Sequence, residues 1–187
     1  MRDRTPHLKN VVVGDGGIGK TSMLITKLTG KFPIKYLPVS AFDIYQDGIN
    51  IKLPDTVIKL YPWDTASGKD YDKIRPLSYP NTHVIILMFD IAAVARFNFV
   101  EKDWLTEVRS HCTDVPIVLV GSKSDLRESN CETISSEQGK EMAEKIGAAV
   151  YMEVSSIRNE GLDELFQEVG RIAYEYHKLI LSKKKKN

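Results

Sequence analysis

The stretch GDGGIGKTS, residues 14–22, decides the fold class of this chain. It fits G-x-x-x-x-G-K-[ST] at Gly14, Gly19, Lys20 and Thr21, follows the apolar run LKNVVV (8–13), and opens the helix-period segment KTSMLITKL. Strand, glycine-rich turn and helix in that order let backbone N–H groups curl around phosphate oxygens, with the positive end of the helix dipole facing them. The residues assigned to phosphate here are Asp15, Gly16, Gly17, Ile18, Gly19, Lys20, Thr21 and Ser22. Lys20 is expected to reach the outer phosphates, and the Thr21 hydroxyl to hold Mg2+.

Outward from this loop, β-branched apolar runs alternate with helical periodicity. THVIILMFDI (82–91), PIVLVG (116–121) and AAVYMEV (148–154) read as buried strands, and 97–109, 136–146 and 161–181 as helices. In the last of these, Leu162, Leu165, Phe166, Val169, Ile172, Ala173 and Tyr176 step by three and four to make one apolar face. FDIYQDGINIKL, a turn at Pro54-Asp55, and TVIKLYPW read as a hairpin, which adds one antiparallel strand to a mostly parallel sheet. The reading is one α/β domain over 1–181, followed by a polybasic tail over 182–187.

Composition agrees with that division. A chain of 187 residues, 42% apolar and 27% charged, suits one domain that buries a core without disulfides. Cys112 and Cys131 lie in no CxxC or Cys/His spacing, so both are expected as reduced thiols. No apolar run approaches the ~20 residues that cross a bilayer, and MRDRTPHLKN lacks the apolar core of a signal peptide, so a cytoplasmic protein is expected. The net charge of +1 includes four consecutive lysines, 183–186, without which the chain stands at −3. An acidic body and a lysine run without aromatic residues argue against nucleic acid, which leaves a solvated end or a patch for acidic membrane lipid.

The base is read from GSKSDL, residues 121–126, directly after a buried strand. Guanine presents two adjacent donors that one carboxylate, Asp125, accepts together, whereas adenine offers an acceptor there and would be repelled. VSS (154–156) is a weaker third element, able to offer backbone N–H groups to the guanine oxygen.

Together GDGGIGKTS, KFPIKYLP, WDTA, DYDKIRPLSYP, GSKSDL and the lysine-rich end resemble the small GTPases, and DYDKIRPLSYP resembles their Rho branch. The resemblance implies a P-loop fold with a six-stranded, mostly parallel sheet containing one antiparallel strand and flanked by about five helices. It implies GTP or GDP with Mg2+. The base would be bounded by Phe32, Ser122, Lys123, Asp125, Leu126, Ser155, Ser156 and Ile157. Asp64 would touch Mg2+ through water, and the Ser67 N–H would reach the third phosphate. Switch and effector surfaces would include Tyr36, Pro38, Val39, Ser40, Phe42, Asp43 and Tyr45 in the first switch, and Gly68 and Tyr71 in the second. Exchange factors, GTPase-activating proteins and effectors, among them regulators of actin, are the implied partners of a monomer at the cytosolic face of the plasma membrane.

Five departures qualify this resemblance. Pro38 is followed by Val39 and Ser40 where the family has a Mg2+-ligating threonine, so Ser40 is the nearby hydroxyl left for the metal in the GTP state. The family's glycine and glutamine after DTA are Ser67 and Gly68, which leaves Lys20 as the catalytic side chain and no glutamine to position water. The short segment 126–135 has no room for the Rho insert helix, and Ser122 replaces the usual Asn or Thr. Where the family usually has a CaaX cysteine behind the basic stretch, this sequence ends KKKKN, so either it is cut short or the protein is anchored differently; four lysines at ~1 kcal/mol each give roughly 4 kcal/mol of reversible lipid contact. A GTP-hydrolysing switch is the reading adopted. A guanine-nucleotide-binding module with negligible hydrolysis and a P-loop metabolic kinase remain the alternatives, the latter disfavoured because no arginine-rich lid is visible.

Overall fold

The computed structural model describes residues 5–35 and 41–185. The first switch expectations at Tyr36, Pro38, Val39 and Ser40 lie outside the described residues, as does Lys186. Among the described residues seven strands form one sheet: β1 (His7–Gly14), β2 (Phe42–Ile44), β3 (Ile49–Leu53), β4 (Thr56–Thr65), β5 (Val84–Asp90), β6 (Ile117–Ser122) and β7 (Val150–Val154). The order is β2-β4-β1-β5-β6-β7, with β3 also on β4. β1, β4, β5, β6 and β7 run parallel, while β2 and β3 pair antiparallel with the same strand β4.

β2 and β3 are one edge strand broken in two, which reconciles seven segments with the expected six positions. Ile44 pairs with Trp63 and Ile49 with Leu60, so Tyr45, Gln46, Asp47 and Gly48 stand opposite only Tyr61 and Pro62. Pro62 has no N–H to donate to the ladder, and the chain bulges there. The Pro62 carbonyl still accepts from the Tyr45 N–H at 3.1 Å.

The apolar strands alternate between two cores. Val12, Ile86, Met88, Val118 and Val120 face α1 (Lys20–Thr29) and α4 (Leu162–Lys184). Val11, Val13, Ile85, Leu87, Phe89, Ile117 and Leu119 face α2 (Thr106–His111) and α3 (Ser136–Ile146). Side chains that alternate across a pleated strand, in strands buried on both faces, require helices on both sides of the sheet. Leu165, Phe166 and Val169 of α4 are fully buried, as their spacing predicts. α4 runs on through Lys184, so it includes Lys183 and Lys184.

Four α-helices occur among the described residues, where about five were expected. The segment after β4 forms two short 3₁₀ turns, Lys69–Tyr71 and Arg75–Ser78, with Pro76 in the first turn of the second, where its missing N–H costs nothing. The helix expected at 97–109 begins as a π-helical turn, Val100–Leu105, that leads into α2. α3 starts in a capping box: the Ser135 hydroxyl accepts from the Gln138 N–H at 3.1 Å, and the Gln138 side chain accepts from the Ser135 N–H at 2.8 Å.

The carboxyl ends of the five parallel strands lie along one edge of the sheet. Gly14, Thr65, Asp90, Ser122 and Val154 end them, and every loop bearing an expected site residue within 14–22, 64–71, 122–126 and 155–157 leaves from that edge. Ligands of open α/β sheets bind at this edge, where the strand order reverses around β1.

Candidate nucleotide site

The phosphate loop is shaped by close approach and by backbone handedness. A Cβ on Gly14 would lie 2.2 Å from the Met88 carbonyl oxygen, so only glycine lets β1 end against β5 here. Gly19, at φ 97°, opens α1 from the left-handed region, where a side chain is strained. A Cβ built on Gly16, Gly17 or Gly19 would meet no atom within 4 Å. The cleft holds about 570 Å³ and is bounded by Gly16, Gly17, Lys20, Thr21, Ser67 and Gly68, with Phe32 to Lys35 at its outer rim.

Lys20 is 6% exposed and uses all three of its protons. They go to the carbonyls of Gly14 and Asp15, each at 2.8 Å, and to the hydroxyl of Ser67. Burial pulls its pKa down to about 8, against the attraction of Asp64 and Asp15. A buried ammonium of depressed pKa gains strongly from an incoming anion.

Thr21 and Asp64 meet on the other side of the loop. The Thr21 hydroxyl donates to Asp64 Oδ2 at 2.5 Å, while Oδ1 is buried with no hydrogen-bond partner. Asp64 is fully buried, and that burial pushes its pKa up to about 6 in spite of the Thr21 bond and the Lys20 charge. A hydroxyl beside a carboxylate with an orphaned oxygen is a hard-oxygen donor set, and a Mg2+ ion with its waters fits it.

The base-reading loops are tied together from behind. The Ser122 hydroxyl contacts the carbonyls of Ile18 at 2.7 Å and Phe89 at 2.9 Å, joining the phosphate loop to β5. The Ser122 side chain faces inward and is 2% exposed. Lys123 sits at φ 61° and donates to Asp90 Oδ2 at 2.6 Å. Asp125 accepts from the Ser155 hydroxyl at 2.6 Å through Oδ1. Leu126 and Ser156 are half-buried beside them, while Phe32 and Ile157 are exposed at the rim. Arg158 closes the same rim with a two-pronged ion pair to Glu128, at 2.8 and 2.5 Å. Asp90 and Arg158 had no sequence signal beyond their places at a strand end and beside VSS.

The shortened connection 127–135 is pinned rather than replaced. Arg127 grips Glu153 of β7 with both prongs, at 2.9 and 2.6 Å, and Glu153 also accepts from Ser136 and Tyr151 at 2.8 and 2.7 Å. These bonds hold the loop against β7 and the start of α3.

Among the described switch residues, Phe42 stacks on Trp63 with ring centroids 5.2 Å apart. Asp43 is exposed, and Tyr45 is half-buried with its hydroxyl pKa pushed up to about 12 by that burial and by Asp64 and Asp43. Gly68 is extended, at φ −69° and ψ 149°, and a Cβ there would touch only the Tyr71 ring, at 3.4 Å. No side chain projects from position 68 into the cleft.

Comparison with known proteins agrees with this architecture. A family model described as the Ras family matches residues 9–175. The Rho-related protein racN of Dictyostelium discoideum is 42% identical over 172 residues, covering 88% of this chain and 75% of that protein. GTP-binding protein rho1 of Schizosaccharomyces pombe is 38% identical over 91% of this chain and 88% of its own length. Rho-related GTP-binding protein RhoF of Bos taurus is 38% identical over 89% of this chain and 81% of its own. A phosphate loop, a carboxylate in the base loop and these relatives along nearly the whole length converge: the chain belongs to the Ras family of small GTPases and is Rho-like within it.

Proposed function

We propose that this protein is a Rho-like switch that binds GTP or GDP with Mg2+, signals to effectors while GTP is bound, and hydrolyses GTP slowly. Lys20 neutralises the outer phosphates, Asp125 accepts the two guanine donors, and the Ser67 N–H meets the third phosphate. Thr21 and Asp64 hold the metal with its waters, and Ser40 is the candidate ligand from the first switch. The bound ion supplies charge neutralisation on the phosphates.

The observation that carries slow hydrolysis is Gly68. Positioning an attacking water requires a hydrogen-bond acceptor, glycine has no side chain, and Lys69 next to it carries donors only. Phosphoryl transfer in this class depends on positioning and charge stabilisation, so its loss slows the step and leaves binding intact. The same observation, taken to its limit, favours a guanine-nucleotide-binding module with negligible hydrolysis.

The rest of the proposal follows from the family. Exchange factors and GTPase-activating proteins set the nucleotide state, and effectors that regulate actin read it. The protein acts as a monomer in the cytoplasm, with a reversible contact between its lysine-rich end and acidic lipid of the plasma membrane. Nucleotide extracted from the purified protein and identified by chromatography tests the base: GTP and GDP are expected, and ATP or ADP would overturn the reading.

A further inference from the structure

The phosphate loop and the segment after β4 meet at the cleft, and they are also joined behind it. Asp15 turns its carboxylate toward the segment 94–105, where Oδ1 accepts from the Trp104 indole N–H of the π-helical turn at 2.8 Å and Oδ2 from Nε of Arg96, in the short turn before it, at 2.7 Å. The Trp104 ring is in turn faced by the Arg75 guanidinium, whose carbon lies 4.7 Å from the ring centroid. Arg75 is 2% exposed. Its Nε donates to Glu107 Oε1 at 2.7 Å, Nη2 to Asp72 Oδ1 at 2.8 Å and to the second Glu107 oxygen, and Nη1 to the Ala66 carbonyl at 3.0 Å. A buried guanidinium is tolerated only when surrounded by such partners, yet none of the phosphate and base contacts above uses it.

The bond to Ala66 is the informative one. That carbonyl and the Ser67 N–H belong to a single trans peptide plane, so they point in opposite directions. With the carbonyl held on the core side by Arg75, the N–H faces the cleft, where the Ser67 hydroxyl already meets Lys20. We infer that Arg75 is a positioning residue that aims the Ser67 N–H at the third phosphate, and that the Trp104–Asp15 link ties this aim to the placement of the phosphate loop. The inference rests on the cleft being a guanine-nucleotide site. GDP has no third phosphate, so the chain Asp15–Trp104–Arg75–Ala66 discriminates between the two nucleotides.

The test is the dissociation rate of GDP and of a non-hydrolysable GTP analogue, both with Mg2+, from the full chain. Arg75→Lys keeps the charge but not the planar fork. Trp104→Phe keeps a ring beneath Arg75 and removes the N–H to Asp15. Each substitution is expected to speed release of the GTP analogue about fivefold more than release of GDP, the factor that corresponds to roughly one lost hydrogen bond. General loosening of the fold accelerates both nucleotides alike, and an unchanged ratio in Trp104→Phe overturns the inference even where Arg75→Lys fails to fold. A wild-type chain that retains neither nucleotide overturns the reading of the cleft itself and the inference with it.

Discussion

The ammonium of Lys20, in the phosphate loop, donates a hydrogen bond to the hydroxyl of Ser67, the residue that follows β4 and Ala66. Its other two protons are held by the Gly14 and Asp15 carbonyls at 2.8 Å, so Ser67 takes the one Lys20 proton that a phosphate oxygen would accept. An incoming phosphate must displace that hydroxyl. Ser67→Ala, which removes the hydroxyl and adds no backbone freedom, is therefore expected to tighten binding of GTP by about fivefold, the equivalent of one hydrogen bond. Equilibrium titration with a fluorescent GTP analogue checks this; equal or weaker binding would show that the Ser67 hydroxyl assists the phosphate instead of competing with it.

Asp64 sets a pH dependence whose sign follows from its buried position. Its native pKa of about 6 lies above the unfolded carboxylate value, so the native state holds the proton more tightly. The contribution of this group to stability is greatest at low pH and falls as pH rises from about 4 to about 6 in the metal-free protein. Asp64→Asn should remove that slope from urea melts. Mg2+ needs the ionised carboxylate, so its affinity should rise across the same window and level off above it. Mg2+ binding independent of pH between about 5 and 7 would exclude Asp64 from the metal site.

Particular residues show why some of this was legible in the sequence and some was not. Strands of the VVV and VIILMF type announce themselves because both faces are buried, and GDGGIGKTS because only glycines allow that loop. The break between β2 and β3 depends on Pro62, which looks like an ordinary edge proline until its partner strand is known. Ser122 reads as a base contact, whereas its hydroxyl is spent on the Ile18 and Phe89 carbonyls. Arg75 is invisible as a buried residue, because an arginine in DYDKIRPLSYP reads as one more charge on a polar segment. What local pattern cannot convey is which distant carbonyl or carboxylate awaits each polar side chain.

The lysine-rich end gives a further prediction. Because α4 continues through Lys184, with Leu179 and Leu181 about half exposed beside it, the basic residues are displayed on a helix. Vesicles carrying acidic lipid are expected to bind the chain at low salt and to release it near ~0.15 M ionic strength, where the Debye length is about 8 Å. Deletion of 183–186 should abolish the interaction in cosedimentation. Binding that persists at high salt, or that survives the deletion, would assign the contact to another surface.

The proposed slow hydrolysis turns on position 68, which offers an attacking water no acceptor side chain. Gly68 has an extended backbone that any residue adopts, and a Cβ there makes only van der Waals contact with Tyr71, so glutamine can be placed without strain. Single-turnover phosphate release, measured on GTP-loaded wild type and Gly68→Gln, addresses the claim directly. A slow wild-type rate that rises at least about tenfold in Gly68→Gln, equivalent to ~1.4 kcal/mol of recovered transition-state stabilisation, is the predicted result. A wild-type rate that already equals the variant's would contradict it, and would mean that another group in the cleft orients the water.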